Sequence, residues 1–189
     1  MNGAATAVAR RHIPREPSSF SVALRMRYWR FRLDILARCA ICPASQAGCG
    51  AASVAMVVQY WARHYPVLKS AADETDRIDE LLPSTRKGIR GRALSDYLSA
   101  RGFAVYIFDG QLKDLRQHFD RGRPIIVCLG LSGPKAPLHY AVVVGIEEAS
   151  VWLHDSARGK LTREPIDRFT SAWDVTGNWA LLAVPRDAR

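Results

Sequence analysis

Gly48-Cys49-Gly50-Ala51-Ala52-Ser53, followed at once by Val54-Ala55-Met56-Val57-Val58-Gln59-Tyr60-Trp61, is the stretch from which the rest of the chain is read. A cysteine between two glycines, directly before an apolar run, sits at the first turn of a buried element with little bulk around its sulfur. Val54, Val58, Trp61 and Tyr65 recur at helical spacing, with Gln59 and Arg63 on another face. The run continues past the usual strand length until Pro66, so period and length together predict a helix with Cys49 at its N-terminus.

That position bears on chemistry. Unpaired N–H groups and the helix dipole favour an anion there and help a thiol become the nucleophilic thiolate. The help is partial: taking a thiol from about 8.5 to about 5 needs roughly 4–5 kcal/mol, and a helix terminus supplies about 0.3–1 kcal/mol, about 2 at best. A cationic partner is therefore required. Without one, Cys49 is a small buried residue in a glycine turn.

The 189 residues suit one domain with a tail, and a folded part of about 150 residues buries roughly 70% of its unfolded surface. Lys and Arg number 27 against 18 Asp and Glu, a net charge of +9. The excess is uneven. Residues 1–38 hold eight arginines against Glu16 and Asp34, so they carry +6 and leave about +3 for the remainder. This segment, with Tyr28, Trp29 and Phe31 among its arginines, reads as a disordered or partly helical extension ahead of a domain spanning 39–189. An arm for nucleic acid or anionic lipid is the less favoured reading. Asp34 and Arg38 interrupt the apolar segment a signal peptide needs, which leaves cytoplasm or cell envelope open. The longest apolar runs, 50–58 and 140–146, fall short of a membrane span. Four cysteines make no disulfide scaffold at this length. Cys39-x-x-Cys42 lacks a second such pair, so no metal and no cofactor is expected.

Along the chain, 70–82 reads as one short helix capped by Ser70. Residues 91–101 read as a helix turning Leu94, Tyr97 and Leu98 inward, with Gly102 as its stop. A strand over 103–108, a helix over 112–121 and a strand over 124–131 too apolar to be exposed on either face follow. After a Gly/Pro/Lys loop at 132–137, the runs 138–146 and 151–155 have hairpin spacing. A helix over 165–173 and a strand over 178–185 close the chain. Helices come first and strands gather later, the order of an α+β fold with helices packed on an antiparallel sheet.

Among the histidines, His139 alone follows a loop and opens a strand. Alternation places His139, Ala141 and Val143 on one face and Val151, Leu153 and Asp155 on one face of the partner run. A three-residue turn over 147–149 sets Asp155 opposite Ala141, one diagonal step from His139. A register shifted by one residue presents His154 instead. In the first register the roles are Cys49 as nucleophile, His139 as proton carrier and Asp155 as the group that orients the imidazole. Singly, His139 also reads as a hydrogen-bonded strand-end residue, and Asp155 as a turn-former pairing with Arg158.

Gly48-Cys49-Gly50-Ala51-Ala52-Ser53-Val54-Ala55-Met56, Gly122-Arg123-Pro124-Ile125-Ile126-Val127, His139-Tyr140-Ala141-Val142-Val143-Val144-Gly145 and His154-Asp155-Ser156-Ala157-Arg158-Gly159 closely resemble, in this order, the peptidase C39-like branch of the papain-like cysteine peptidases. The likeness runs from about residue 43 to 185 and takes in Phe169, Trp173 and Gly177-Asn178-Trp179. It implies a papain-like fold and a Cys/His/Asp triad falling on Cys49, His139 and Asp155. One departure stands out. The family usually has an oxyanion-hole glutamine five or six residues before the nucleophile, where this chain has Ala44 and Pro43, and Gln46 lies only three residues ahead. With a shortened turn, Gln46 donates its amide beside the Cys49 N–H; without it, one lost donor costs on the order of 10²–10³ in rate.

The leading expectation is a cysteine peptidase acting on a peptide or protein through an acyl-enzyme. The alternative is a degenerate domain of the same fold that binds a peptide or partner without cutting it. An acyltransferase using the same triad and a basic nucleic-acid module rank below these. Some relatives are fused to export transporters and cut leader peptides after a double glycine, which makes export machinery a partner by resemblance. At 189 residues the chain is too short to contain a transporter, so that substrate is not carried over.

Overall fold

A computed structural model describes residues 48–83, 88–130 and 138–186. The Arg-rich stretch 1–38, Cys39, Cys42, Gln46 and the loop expected at 132–137 lie outside the described residues.

The first helix, α1 (Cys49–Ala62), begins at the expected cysteine, with Gly48 at the N-cap. It is apolar on nearly every side, the mark of a helix enclosed by its own domain. Its last turn is tied down by polar handles. Tyr60 Oη donates to Gly122 O at 2.7 Å and Trp61 Nε1 to Ala183 O at 2.9 Å.

The single helix expected over 70–82 is broken into pieces. A 3-10 turn, Pro66–Leu68, leads to α2 (Lys69–Asp73), a second 3-10 turn, Glu74–Arg77, and α3 (Ile78–Leu81). Ser70 is not the cap; that position belongs to Leu68. The cause is Thr75, which is buried. Its Oγ1 donates to Ala72 O at 2.6 Å and accepts from Gln59 Nε2 at 2.8 Å. A hydroxyl bonding three residues back competes with the helical ladder and tightens the turn. The tightening lets Leu68, Ala71, Ile78 and Leu82 all pack into the α1 side of the core.

Further on, α4 (Gly91–Ala100) buries Leu94, Tyr97 and Leu98 as expected, and the chain leaves it through Gly102 at φ +87°. Then come β1 (Phe103–Asp109), α5 (Leu112–Asp120), β2 (Ile125–Gly130), β3 (Leu138–Ile146), β4 (Ser150–Asp155), β5 (Lys160–Pro165), α6 (Ile166–Asp174) and β6 (Trp179–Pro185). β2 is buried along its whole length, as its composition requires. β5 is an addition to the sequence reading. Its residues show no apolar alternation because it is an exposed edge, paired with β4 from Ser150↔Pro165 to Asp155↔Lys160.

The six strands form one antiparallel sheet in the order β1-β6-β2-β3-β4-β5. Helices cover both faces. α1 to α4 pack with Ile126, Val142, Val144, Leu181 and Ala183 on one side. On the other, Leu115 of α5 and Phe169 and Trp173 of α6 pack with Val127, Ala141, Val143 and Leu182.

The β3–β4 hairpin differs in detail from expectation, and the difference matters. Glu147 N–H donates to Ser150 O at 2.8 Å, so the turn is the two-residue Glu148-Ala149 rather than three residues. Near it the register is Ile146↔Val151 and Gly145↔Trp152; beyond a bulge between Val143 and Gly145 it becomes Val143↔Leu153 and Val142↔His154. Without the extra residue, the turn's register would set Asp155 opposite Val142, on the α1 face. The bulge moves it back by one. His154 now faces α1, where its Nδ1 lies 3.0 Å from Met56 Sδ, and Asp155 takes the His139 side.

Replacing Thr75 by valine keeps the shape and removes both hydroxyl bonds. The expected outcome is a loss of about 1–3 kcal/mol, read as a lower urea midpoint at unchanged slope.

Candidate active site

Cys49 is the first residue of α1 and is 5% exposed. Gly50 is what allows the helix end to lie so close to the sheet: a Cβ there would meet Tyr140 Cδ2 at 3.2 Å, Leu94 Cδ2 at 3.3 Å and Ile89 Cβ at 3.4 Å. With that approach made, the Tyr140 N–H donates to Cys49 Sγ at 3.4 Å. Tyr140 is held in turn by its hydroxyl, which donates to Ile89 O at 3.1 Å, and by an edge-on contact with Trp179.

His139, one residue back on β3, is buried. Its Nε2 lies 2.7 Å from Asp155 Oδ1, and its ring is close enough to Cys49 for each to shift the other's titration. Since the carboxylate occupies Nε2, Nδ1 is the nitrogen left for the thiol. Asp155, at the end of β4, has further partners: Oδ1 accepts from Ala157 N–H at 3.0 Å, and Oδ2 lies 3.4 Å from Arg158 Nε. The two readings of Asp155, turn-former and imidazole partner, are therefore both realised by one side chain. Arg158 is itself shared with Glu164 of β5, which fixes the turn between the two strands.

The electrostatics follow from these contacts. Burial is the largest influence on the Cys49 thiol and pushes it up. The His139 hydrogen bond, the Tyr140 N–H, the imidazole charge and the Gly50 N–H outweigh burial, and the thiol lies below its ordinary value. Burial likewise opposes a charge on His139, and the bonds to Asp155 and Cys49 overcome it, raising the ring to about 9. Asp155 is pushed up by burial and pulled lower, net, by His139, Ala157 N–H and Arg158. The charged forms of carboxylate, imidazole and thiol alternate in sign, so each favours ionisation of its neighbour.

The structure brings Cys49, His139 and Asp155 together; Gln46 is outside the described residues. Sequence reasoning missed Tyr140, whose contribution comes from its main chain and leaves no trace in residue type, and Gly50, whose signal was present in Gly48-Cys49-Gly50. Trp179 has no role legible in the sequence pattern. It is set by Gly177 and Asn178, both at positive φ, and by Trp173 Nε1 donating to its carbonyl at 2.9 Å. Among the described residues no His/Cys/Asp/Glu cluster suits a metal, and no helix is long and apolar enough to cross a membrane.

Removing the imidazole leaves burial, the influence that raises the thiol, without its main counterweight. In wild type, iodoacetamide labelling of Cys49 should already be fast at pH 6, at least about tenfold faster than a free cysteine, and should change again near pH 9 as His139 loses its proton. In His139→Ala the profile should collapse to one ordinary thiol step at high pH, measured by mass spectrometry of the Cys49 peptide. Slow labelling of the wild type at pH 6 would contradict the charged pair.

Comparison with known proteins gives a consistent picture. The model of the Peptidase_C39 like family matches residues 35–181. No curated protein matches the chain. Among solved structures, the peptidase domain of Streptococcus ComA, a bi-functional ABC transporter involved in quorum sensing, superposes with a TM-score of 0.58 at 24% identity, covering 75% of this chain and 94% of that one. A double glycine motif protease from an AMS/PCAT transporter, in complex with the leader peptide, gives 0.55 at 19% identity over 72% and 84%. The Streptococcus mutans ComA peptidase domain gives 0.51 at 21% identity over 75% and 95%. At these identities the likeness concerns the fold, that of C39 papain-like peptidase domains.

Proposed function

The chain belongs to the Peptidase_C39 like family, and from that premise we propose that it is a cysteine peptidase hydrolysing a peptide bond with Cys49, His139 and Asp155 as its triad. The observation that carries this reading is the shared imidazole, whose Nε2 lies 2.7 Å from the carboxylate and whose ring is close enough to the thiol to lower it. A merely structural histidine needs neither a thiol partner nor a main-chain donor aimed at that sulfur.

In this mechanism the Cys49 thiolate attacks the carbonyl carbon. The developing oxyanion is met by the Cys49 N–H at the first turn of its helix, and by the Gln46 side-chain amide as the second donor. His139 Nδ1–H gives its proton to the departing amine, the C–N bond breaks, and a thioester remains. His139 then takes a proton from water, the resulting hydroxide attacks the thioester, and the thiolate leaves. Asp155 keeps the ring oriented and favours its charged form throughout.

The substrate class is a peptide or protein. Comparison adds that one structural neighbour was solved with a leader peptide and that ComA is an ABC transporter; work alongside export machinery is carried over on that likeness, without any cleavage preference.

Turnover of a fluorogenic peptide library should vanish in Cys49→Ala and fall by roughly 10²–10⁴ in His139→Ala. Product formed only with an added amine would point to acyl transfer instead. Gln46→Ala should lower kcat on the order of 10²–10³ if its amide is the second oxyanion donor; an unchanged kcat would remove it from the mechanism. A wild type that binds peptides but turns none over would make the domain a binding module.

A further inference from the structure

The two edges of the sheet are built differently. β5 carries Lys160, Arg163, Glu164 and Pro165 within six residues, and Arg163 pairs with Glu147. Charges and proline of this kind keep an edge from accepting another strand. β1 reads Phe-Ala-Val-Tyr-Ile-Phe-Asp, with no lysine, arginine or proline and one acid at its last position. Tyr106 is 55% and Ile107 47% exposed. The inner side of β1 is paired with β6 along all seven residues, and among the described residues no strand pairs with its outer side.

Flanking bonds show which groups face outward. Gly110 N–H donates to Asn178 O at 2.9 Å, and Arg186 N–H to Gly102 O at 3.0 Å. In this register residues 104, 106 and 108 exchange bonds with β6, while Phe103, Val105, Ile107 and Asp109 turn their N–H and C=O groups out. Arg186 Nε takes the Phe103 carbonyl at 3.3 Å. The outward groups of Val105, Ile107 and Asp109 form the ladder left for a partner.

Beside this edge lies a groove of about 1110 Å³. Aromatic rings of Tyr65, Tyr106 and Phe108 and the cations Arg121, Arg123 and Arg186 line it. Its one carboxylate, Asp114, accepts the Gln111 N–H at 2.8 Å in the cap of α5. The positive field is felt by His118 in the same wall, whose protonation is opposed first by burial and then by Arg123 and Arg121.

We propose that β1 and this groove dock an extended acidic segment of a partner protein, which adds as a strand to β1 and sets its carboxylates against Arg121 and Arg123. Charge selects this occupant. A second copy pairing β1 with β1 about a twofold axis normal to the sheet would bring two arginine-lined grooves to the same face, like against like. The chain's own residues 1–38 carry +6 and match the groove in sign. An acidic strand meets main-chain donors, aromatic surface and cations together, the combination used in strand addition. The site is separate from Cys49: Tyr60 and Trp61 also line the groove, and at 1.5 Å per residue Tyr60 lies about 17 Å along α1 from the thiol. It therefore stands whether or not Cys49 is a nucleophile.

The test is fluorescence anisotropy with a labelled nonapeptide of alternating glutamate and valine, its lysine counterpart and a labelled oligothymidylate. The acidic peptide should bind at least about tenfold tighter than the lysine peptide and weaken with salt. Arg121→Glu with Arg123→Glu should cost about tenfold or more, and Ile107→Pro, which removes an N–H outside the β6 ladder, should cost as much. Cys49→Ala should bind unchanged. Should Ile107→Pro fail to fold, slowed amide exchange at Val105 and Ile107 on adding the acidic peptide supports the docking, and unchanged exchange overturns it. Equal binding of the two peptides, tighter binding of the oligothymidylate, or dimerisation through β1 without peptide binding would each overturn it.

Discussion

A buried imidazolium is costly unless partners of opposite charge offset it, and at His139 the Asp155 carboxylate on Nε2 and the nearby Cys49 outweigh burial. Most of the local architecture follows from this one requirement. The imidazole opens β3, the carboxylate ends β4 and the thiol opens α1, so three chain segments must end at one corner of the sheet. Gly50 permits the helix to approach, the bulge after Val143 sets which face Asp155 takes, and Arg158 with Ala157 N–H holds the carboxylate from behind. Each is a backbone or packing solution to the same electrostatic demand.

That dependence explains what could be read from residues alone. Helix α1 was legible because its apolar run is too long for a strand, and β2 because nothing polar interrupts it. The hairpin was legible in its two runs but not in its turn. Residue type distinguishes poorly between a three-residue turn and a two-residue turn corrected by a bulge, since both bring Asp155 to the same place. β5 was missed for the opposite reason: an edge strand exposed to water owes its place to pairing with β4 and carries little apolar period. The 69–81 segment had helical composition, and a tertiary bond from Gln59 to Thr75 overrode it. That Cys49, His139 and Asp155 could meet was legible by pattern; the N–H donors around them, being main chain, were not.

Charge was legible in amount but misleading in place. A net +9 suggests a nucleic-acid surface, yet +6 of it belongs to residues 1–38. Among the described residues the arginines are mostly spent locally. Arg101 pairs with Glu74 and stacks on Tyr97, Arg163 pairs with Glu147 beneath Trp152, and Arg158 bridges Asp155 and Glu164. Arg121 and Arg123, which share a concave lining beside an unguarded strand, are therefore a different arrangement from a diffuse basic face, and charge distribution argues more than charge total.

Cys128 provides an internal comparison for Cys49. It lies opposite Tyr140 in the β2–β3 ladder, the same residue whose N–H reaches the Cys49 sulfur, and both cysteines are buried and free. Burial pushes the Cys128 thiol up to about 12, and the charge of Cys49 adds to the rise. Burial acts in the same direction on Cys49, and yet that thiol is lowered. Desolvation is common to both, so what separates them is the imidazole and the two N–H groups turned toward one sulfur. An environment in which neighbouring thiols are driven apart, one toward the anion and one held neutral, is how a site assigns distinct roles to chemically identical groups. It also favours negative charge on one sulfur over the other, because a charge on Cys49 opposes ionisation of Cys128.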